Sequence, residues 1–282
     1  MPTVICAGLI TMDAVYDLTA FPQEGSKVRA NSARRVPGGG ALLAASAIAR
    51  LGGTARLAGA VGDDPLGETL RDDLKRRGID DTLVQTVEGE ATSHSAVFVT
   101  AGGERTIVNQ RSDCLPELEL TGDVPDHDVV LADTRCGNIA RALFEEARRQ
   151  GKPAVLDGEA PLPPELLPPV SHLALSEQGL AGFGGKSLAA SAGENGCWVC
   201  VTRGAATVQI HDGSELAPPP VTALDTLGAG DTWHGAFAFA LGSGFDEPDA
   251  VRFANAAAAL FVSRAGEERF PTLKEVEEKL GA

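Results

Sequence analysis

Positive charge is what this chain is short of. Its 24 Lys and Arg stand against 39 Asp and Glu, a formal net charge of −15 at pH 7. A protein that grips a phosphate backbone needs a basic face, so nucleic-acid binding is excluded as a main role. A small anionic ligand needs only a local positive pocket and stays compatible with the acidity. No apolar run is long enough to cross a bilayer. The opening "MPTVICAGLI" lacks the basic start of a signal peptide and soon meets Asp13. Both absences lead to the expectation of a cytoplasmic protein with no membrane partner. Cysteine is sparse as well. The five residues Cys6, Cys114, Cys136, Cys197 and Cys200 are odd in number and scattered, which suits reduced thiols. Cys197 and Cys200 have the spacing of a redox pair, but "CWVCVT" reads as a buried strand. Positions three apart on a strand face opposite ways, so both are expected in the core. A Walker A loop is missing, and the first strand is followed by a single glycine, Gly8, instead of a dinucleotide-binding glycine pattern.

What is present is a chain of 282 residues, 43% of them hydrophobic, enough for one large domain with a small appendage. Short apolar runs recur ("TVICAGL", "ARLAGAV", "VVLAD", "AVLDG", "HLALS", "CWVCVT"), as strands buried on both faces should. Helical stretches separate them at 40–51, 65–77, 138–150, 177–192, 230–243, 247–264 and 272–280. Strands alternating with helices predict an α/β fold: a three-layer sandwich around a mostly parallel sheet. Residues 14–36 and 82–110 break the rhythm. They read as strands without helices, the second turning at Gly102-Gly103. We expect them to form a small antiparallel lid with one open face, over a main domain of residues 1–13, 37–81 and 111–282. Such a face should cover a substrate, a partner subunit or both, which makes a homodimer through the lid the expected assembly.

The most informative stretch is "DTLGAGDTWHGAFAFAL", Asp225 to Leu241. The chain is extended up to Asp225 and then turns. Trp233, Phe237, Ala240 and Leu241 have helical spacing. Gly228, Ala229 and Gly230 therefore sit at a helix N-terminus. The first N–H groups there lack intrahelical partners, and the helix dipole adds positive charge. Glycine lets a ligand approach the backbone closely, so the turn is an anion cradle suited to phosphate. Asp231 then reads either as a helix cap or as a general base that takes a hydroxyl proton beside the phosphate.

This stretch resembles the C-terminal signature of the PfkB, or ribokinase-like, carbohydrate kinases. "PGGGALLAASAIARLGG" (37–53) with "GAVGDDPLGETLRDDLKRRGID" (59–80) is similar to their N-terminal signature, and "ANAAAALFVSRAG" (254–266) is a third match. The resemblance covers nearly the whole chain. It implies ATP as donor and Mg²⁺ as helper, with Asp231 as the base and Gly228, Ala229 and Gly230 as the anion hole. Asp225 is implied as an organiser of the loop or of a monovalent cation site for K⁺. The nucleotide would meet Ser176, Glu177, Thr202, Gly204, Gly228, Gly230, Asn255 and Ala258. "LSEQG" is a degenerate form of the family's metal-ordering element, so protein ligands of Mg²⁺ are not assigned. Asp13, Gly38 and Gly39 would meet the sugar. Leu43 stands where many relatives carry a hydroxyl-reading Asn, a departure that alters sugar recognition. Lys27, Asn109 and Arg135 lie where strand ends and lid meet. Two cations and an amide there would suit an anionic end of the substrate. In these stretches the chain is most similar to the kinases of 6-deoxy-6-sulfofructose, which act on its 1-hydroxyl. The alternatives are a kinase of neutral fructose or another ketose or sugar phosphate, and a non-catalytic sugar- or nucleotide-binding regulator.

Overall fold

The structure is a computed structural model that describes residues 1–102, 104–182 and 187–281. The chain runs β1 (Thr3–Ala7), β2 (Thr11–Leu18), β3 (Ser32–Gly38), α1 (Gly40–Arg50), β4 (Thr54–Gly62), α2 (Pro65–Arg76) and β5 (Asp80–Val87). It continues through β6 (His94–Thr100), β7 (Arg105–Gln110), β8 (Val129–Ala132), α3 (Gly137–Arg149), β9 (Ala154–Gly158), β10 (His172–Ser176), α4 (Glu177–Gly182) and α5 (Leu188–Asn195). It ends with β11 (Trp198–Thr202), β12 (Val208–Ile210), β13 (Glu215–Leu216), α6 (Ala229–Gly242), α7 (Glu247–Val262) and α8 (Leu273–Leu280).

Among the described residues, nine strands form one sheet in the order β13-β12-β11-β10-β9-β8-β1-β4-β5. The seven from β11 to β5 are parallel, and β12 and β13 join antiparallel at one edge. Side-chain alternation divides each strand between two cores. Val4 and Cys6 of β1 pack with Leu42 and Ile48 of α1 and with α6 and α7 on one face. Ile5 and Ala7 pack with Ile139, Leu143 and Phe144 of α3 on the other. Helices on both faces of a mostly parallel sheet give the expected three-layer sandwich. Cys200 and Cys197 also fall on opposite faces, as strand geometry requires. Cys6, Cys136, Cys197 and Cys200 are buried, while Cys114 is half-buried, its Sγ 3.0 Å from Ser112 Oγ just beyond β7.

The small sheet has the order β3-β2-β6-β7. Its outer pairs are antiparallel, but β2 and β6 are parallel, because a long excursion separates them in sequence. The expected boundaries need correction. β5 pairs with β4 in the main sheet, so residues 82–87 are not part of the small one. Leu83 and Val84 of β5 pack on the body, which an alternating strand pattern alone does not distinguish from a lid strand. The expected hairpin turn includes Gly103, which lies outside the described residues. The helix expected at 177–192 is two helices, α4 and α5, with 183–186 between them also outside the described residues.

Candidate active site

Three consecutive glycines bring the elements of the site together. A Cβ on Gly38 would lie 2.2 Å from Oδ2 of Asp13, and one on Gly39 would lie 2.2 Å from the Leu9 carbonyl oxygen. Gly39 also has φ 96°, a conformation glycine adopts freely. A Cβ on Gly40 would meet Asp231 Oδ1 at 3.2 Å and Asp133 Oδ2 at 3.3 Å. Without side chains here, α1 begins directly against β2, the end of β8 and α6. Helices α1 and α6 touch closely too, since a Cβ on Gly235 would lie 2.5 Å from the Ala44 carbonyl oxygen. Two helix N-termini, at Gly39 and Gly228, therefore converge over the C-terminal ends of the parallel strands, where α/β sheets bind ligands.

Gly228 precedes α6 in the left-handed conformation, φ 82°. The first helical bond is Thr232 N–H to the Gly228 carbonyl, 3.0 Å. Among the described residues, the N–H groups of Gly228, Gly230 and Asp231 have no partner. Nothing lies within 4 Å of a Cβ built on Gly230, so a ligand can approach this turn. Asp231 makes no capping hydrogen bond; its carboxylate is free of partners among the described residues. Burial, then the nearby Asp157 charge, pushes its pKa up to about 7, with His234 opposing. Asp157 is itself buried and raised well above the carboxylate range by its burial, and it lies 3.2 Å from Nδ1 of the buried His234. Asp133, at the end of β8, accepts from the Leu9 N–H and the Arg135 N–H, each at 2.8 Å. A free carboxylate with a pKa near neutrality, beside an open row of N–H donors at a helix start, can take a hydroxyl proton while the donors hold a transferring phosphoryl group.

The sequence profile described as pfkB family carbohydrate kinase matches residues 1–273. The chain belongs to the pfkB family of carbohydrate kinases. The ribokinase of Bacillus subtilis (strain 168) is 31% identical over 293 residues, covering 99% of this chain and all of that protein. The ATP-dependent ribose-1-phosphate kinase of Halopiger xanaduensis is 28% identical, covering 96% of each chain. The crystal structure of a ribokinase candidate from Agrobacterium tumefaciens matches with a TM-score of 0.91 at 31% identity, over 99% of this chain and 97% of that one. This pfkB kinase is an ATP-dependent phosphotransferase acting on a sugar. Magnesium accompanies the phosphates of ATP. Among the described residues, no cluster of three or more His, Cys, Asp or Glu is arranged to hold a metal.

Several residues expected in the kinase's sites have other duties. Asn255 is buried within the body, accepting from Trp233 Nε1 at 2.8 Å and donating to the Leu216 carbonyl at 3.1 Å. Both ends of its amide are satisfied, so the expected nucleotide contact is corrected to a strut between α6, α7 and β13. Ala258 is half-buried on α7 and packs on the same core. Ser176 Oγ accepts from the Gly179 N–H, Glu177 pairs with Arg203, and Thr202 Oγ1 donates to the Leu175 carbonyl. These three, with the left-handed Gly204, gather around the ends of β10 and β11.

Asp225 does not fit a monovalent cation. Its carboxylate meets Arg269 Nη1 at 3.2 Å and Arg34 Nη2 at 3.5 Å, and also accepts from the Leu227 N–H. Two guanidinium groups already neutralise it. The expected trio at the anionic end is only partly assembled. Lys27 is exposed on the irregular stretch between β2 and β3 instead of on a strand. Asn109 does lie on β7, in register with Ser95, which is in turn in register with Asp13. The three therefore share one face of the small sheet. Arg135 pairs with Glu159 just past the C-terminal ends of the neighbouring central strands β8 and β9. Arg111, which sequence reasoning passed over, is partly buried beside Arg135, Glu159 and Asp133. Its position one residue past β7, in "VNQR", is the signal that could have found it.

Proposed function

We propose that this pfkB kinase transfers the γ-phosphoryl group of ATP to the 1-hydroxyl of a ketohexose with an anionic tail, namely 6-deoxy-6-sulfofructose. The observation that carries this reading is the pairing of Arg111 with Arg135. Burial first, and the Arg135 charge second, lowers the Arg111 pKa, so the two guanidiniums repel one another. Arg111 Nε is buried and without a partner. Glu159 and Asp133 offset part of the charge, and a sulfonate with three acceptor oxygens would add acceptors for the unpartnered Arg111 Nε. Asn109, on the strand that leads to Arg111, adds a neutral donor. Leu43 supports the reading from the other side, because its side chain lines the cavity next to Gly228 and offers no hydrogen bond to a sugar hydroxyl.

In this reading Asp231 takes the proton from the attacking hydroxyl. The free N–H groups of Gly228, Gly230 and Asp231 hold the equatorial oxygens; Ala229, expected among them, instead donates its N–H to the Thr226 carbonyl at 3.2 Å. Asp13 with Ser95 binds the sugar hydroxyls. Ser176, Glu177, Thr202 and Gly204 flank the nucleotide. The similarity to a ribose-1-phosphate kinase supports an anionic sugar in general, while the similarity to ribokinase favours a neutral one. ADP release measured with sulfofructose, fructose, fructose 6-phosphate and ribose separates these readings. A preference for sulfofructose supports the proposal, and an outright preference for ribose or fructose refutes it.

The same reading places the protein in the cytoplasm as a homodimer. The five cysteines are unpaired, and no described helix is long and apolar enough to cross a membrane. Phe21, Val28, Ile107 and Val108, each at least half exposed, all belong to the small sheet or the loop within it. Exposed apolar residues on a sheet with an open edge favour a second copy as cover.

A further inference from the structure

Arg269 lies in the short turn between α7 and α8, yet it reaches back to the loop that precedes the anion hole. Its Nη2 donates to the carbonyl oxygens of Asp225 and Leu227, both at 2.9 Å. Its Nη1 meets the Asp225 carboxylate at 3.2 Å. The guanidinium carbon stands 3.7 Å from the centre of the Phe261 ring, which covers one face of the ion. The side chain is only 14% exposed. One carboxylate and two carbonyls converging on a positive charge are the oxygen ligands that a bare monovalent cation would require. Here a tethered cation holds all three. The next residue after Leu227 is Gly228, where the open N–H row begins, so the carbonyls fixed by Arg269 set the direction of that row.

We infer that Arg269 is the kinase's built-in cation: its guanidinium replaces a monovalent metal ion on the 225–227 loop and holds the anion hole in its working shape. It is a positioning residue, acting on phosphoryl transfer through the loop. Asp225 organises the same loop from the other side, through its bond with the Leu227 N–H. Arg34 of β3 adds a second guanidinium to the carboxylate, leaving no vacancy for a metal. This kinase therefore works without potassium. The inference rests on the family's phosphoryl transfer and is independent of which sugar is accepted, so any sugar that supports turnover serves in the test.

The test compares potassium, sodium and choline chlorides at equal ionic strength, using the full chain. Wild-type turnover and unfolding midpoint are expected to be the same in all three. Arg269→Ala should lose about tenfold or more in turnover in choline, because charge-assisted hydrogen bonds are removed. KM for ATP and sugar should change less than kcat. Potassium, or guanidinium at millimolar concentration, should restore part of the lost turnover. Potassium should also raise the unfolding midpoint of the variant and leave that of the wild type unchanged. Arg269→Lys keeps a charge without the planar fork, so it should fall between the two and respond weakly to potassium. If Arg269→Ala does not fold, Arg269→Lys carries the same comparison. Activation of the wild type severalfold by potassium overturns the inference. So does full turnover in the variant, or a loss that neither potassium nor guanidinium relieves.

Discussion

Asp231 has to be ionised to accept a proton, and its pKa near 7 puts that requirement in the neutral range. kcat/KM should therefore fall as pH drops through about 7, whereas an ordinary carboxylate would leave it flat down to pH 5. A pH profile measured with saturating ATP checks this. Asp231→Asn keeps the shape but cannot take the proton, and kcat should fall by at least about 100-fold. The same shift has a consequence for stability. The folded state holds the proton more tightly than the unfolded chain, whose pKa is 3.8, so stability declines as pH rises from there through 7. Removing the charge should make Asp231→Asn unfold at a higher temperature than wild type at pH 8, with no difference near pH 3. Thermal melts at the two pH values decide it. Gly38→Ala makes a second test at this scale. Its Cβ would enter the Asp13 carboxylate, so KM for the sugar should rise about tenfold or more, and the overpacking should also lower the unfolding midpoint.

At the scale of elements, most of the architecture could be read before the structure was known. The helices expected at 40–51, 65–77, 230–243 and 247–264 stand within a residue or two of those ends. Local signals sufficed, because caps, glycines and periodicity act over a single turn. Membership of a sheet was less legible. β5 alternates like a lid strand, and only its pairing with β4, distant in sequence, assigns it to the body. The site followed the same rule. Gly228 to Asp231 form one contiguous motif and were visible, whereas the ties of Asp225 to Arg269 and of Asn255 to Trp233 span 44 and 22 residues. Arg111 and Arg135 likewise meet only when β7 and β8 have been placed. The small sheet supplies a prediction of its own. On binding sugar and a non-hydrolysable ATP analogue, amide exchange should slow in β2, β3, β6 and β7 as the sheet closes and excludes water. Exchange in β5 should not change, and a joint response of β5 with the small sheet would restore the original boundary.

For the whole molecule, the proposed homodimer would join through the exposed apolar residues of the small sheet and its loop. Val108 is 59% exposed on the edge strand β7. Val108→Asp should convert the expected dimer to a monomer in sedimentation while leaving the body's unfolding midpoint within about 2 °C, since surface substitutions seldom change stability by more than a few tenths of a kcal/mol. A dimer unaffected by the change would place the contact elsewhere. The cysteines offer a way to watch these motions. Burial raises the pKa of Cys197 to about 11 and carries Cys6, Cys136 and Cys200 higher still, so all four are protonated and shielded from alkylation. Cys114 alone is half-buried, four residues beyond the end of β7 on the strap that joins the small sheet to the body. A maleimide dye added to the native chain would thus settle on one thiol, beside the small sheet, giving a fluorescent reporter of the predicted closure without any engineered mutation.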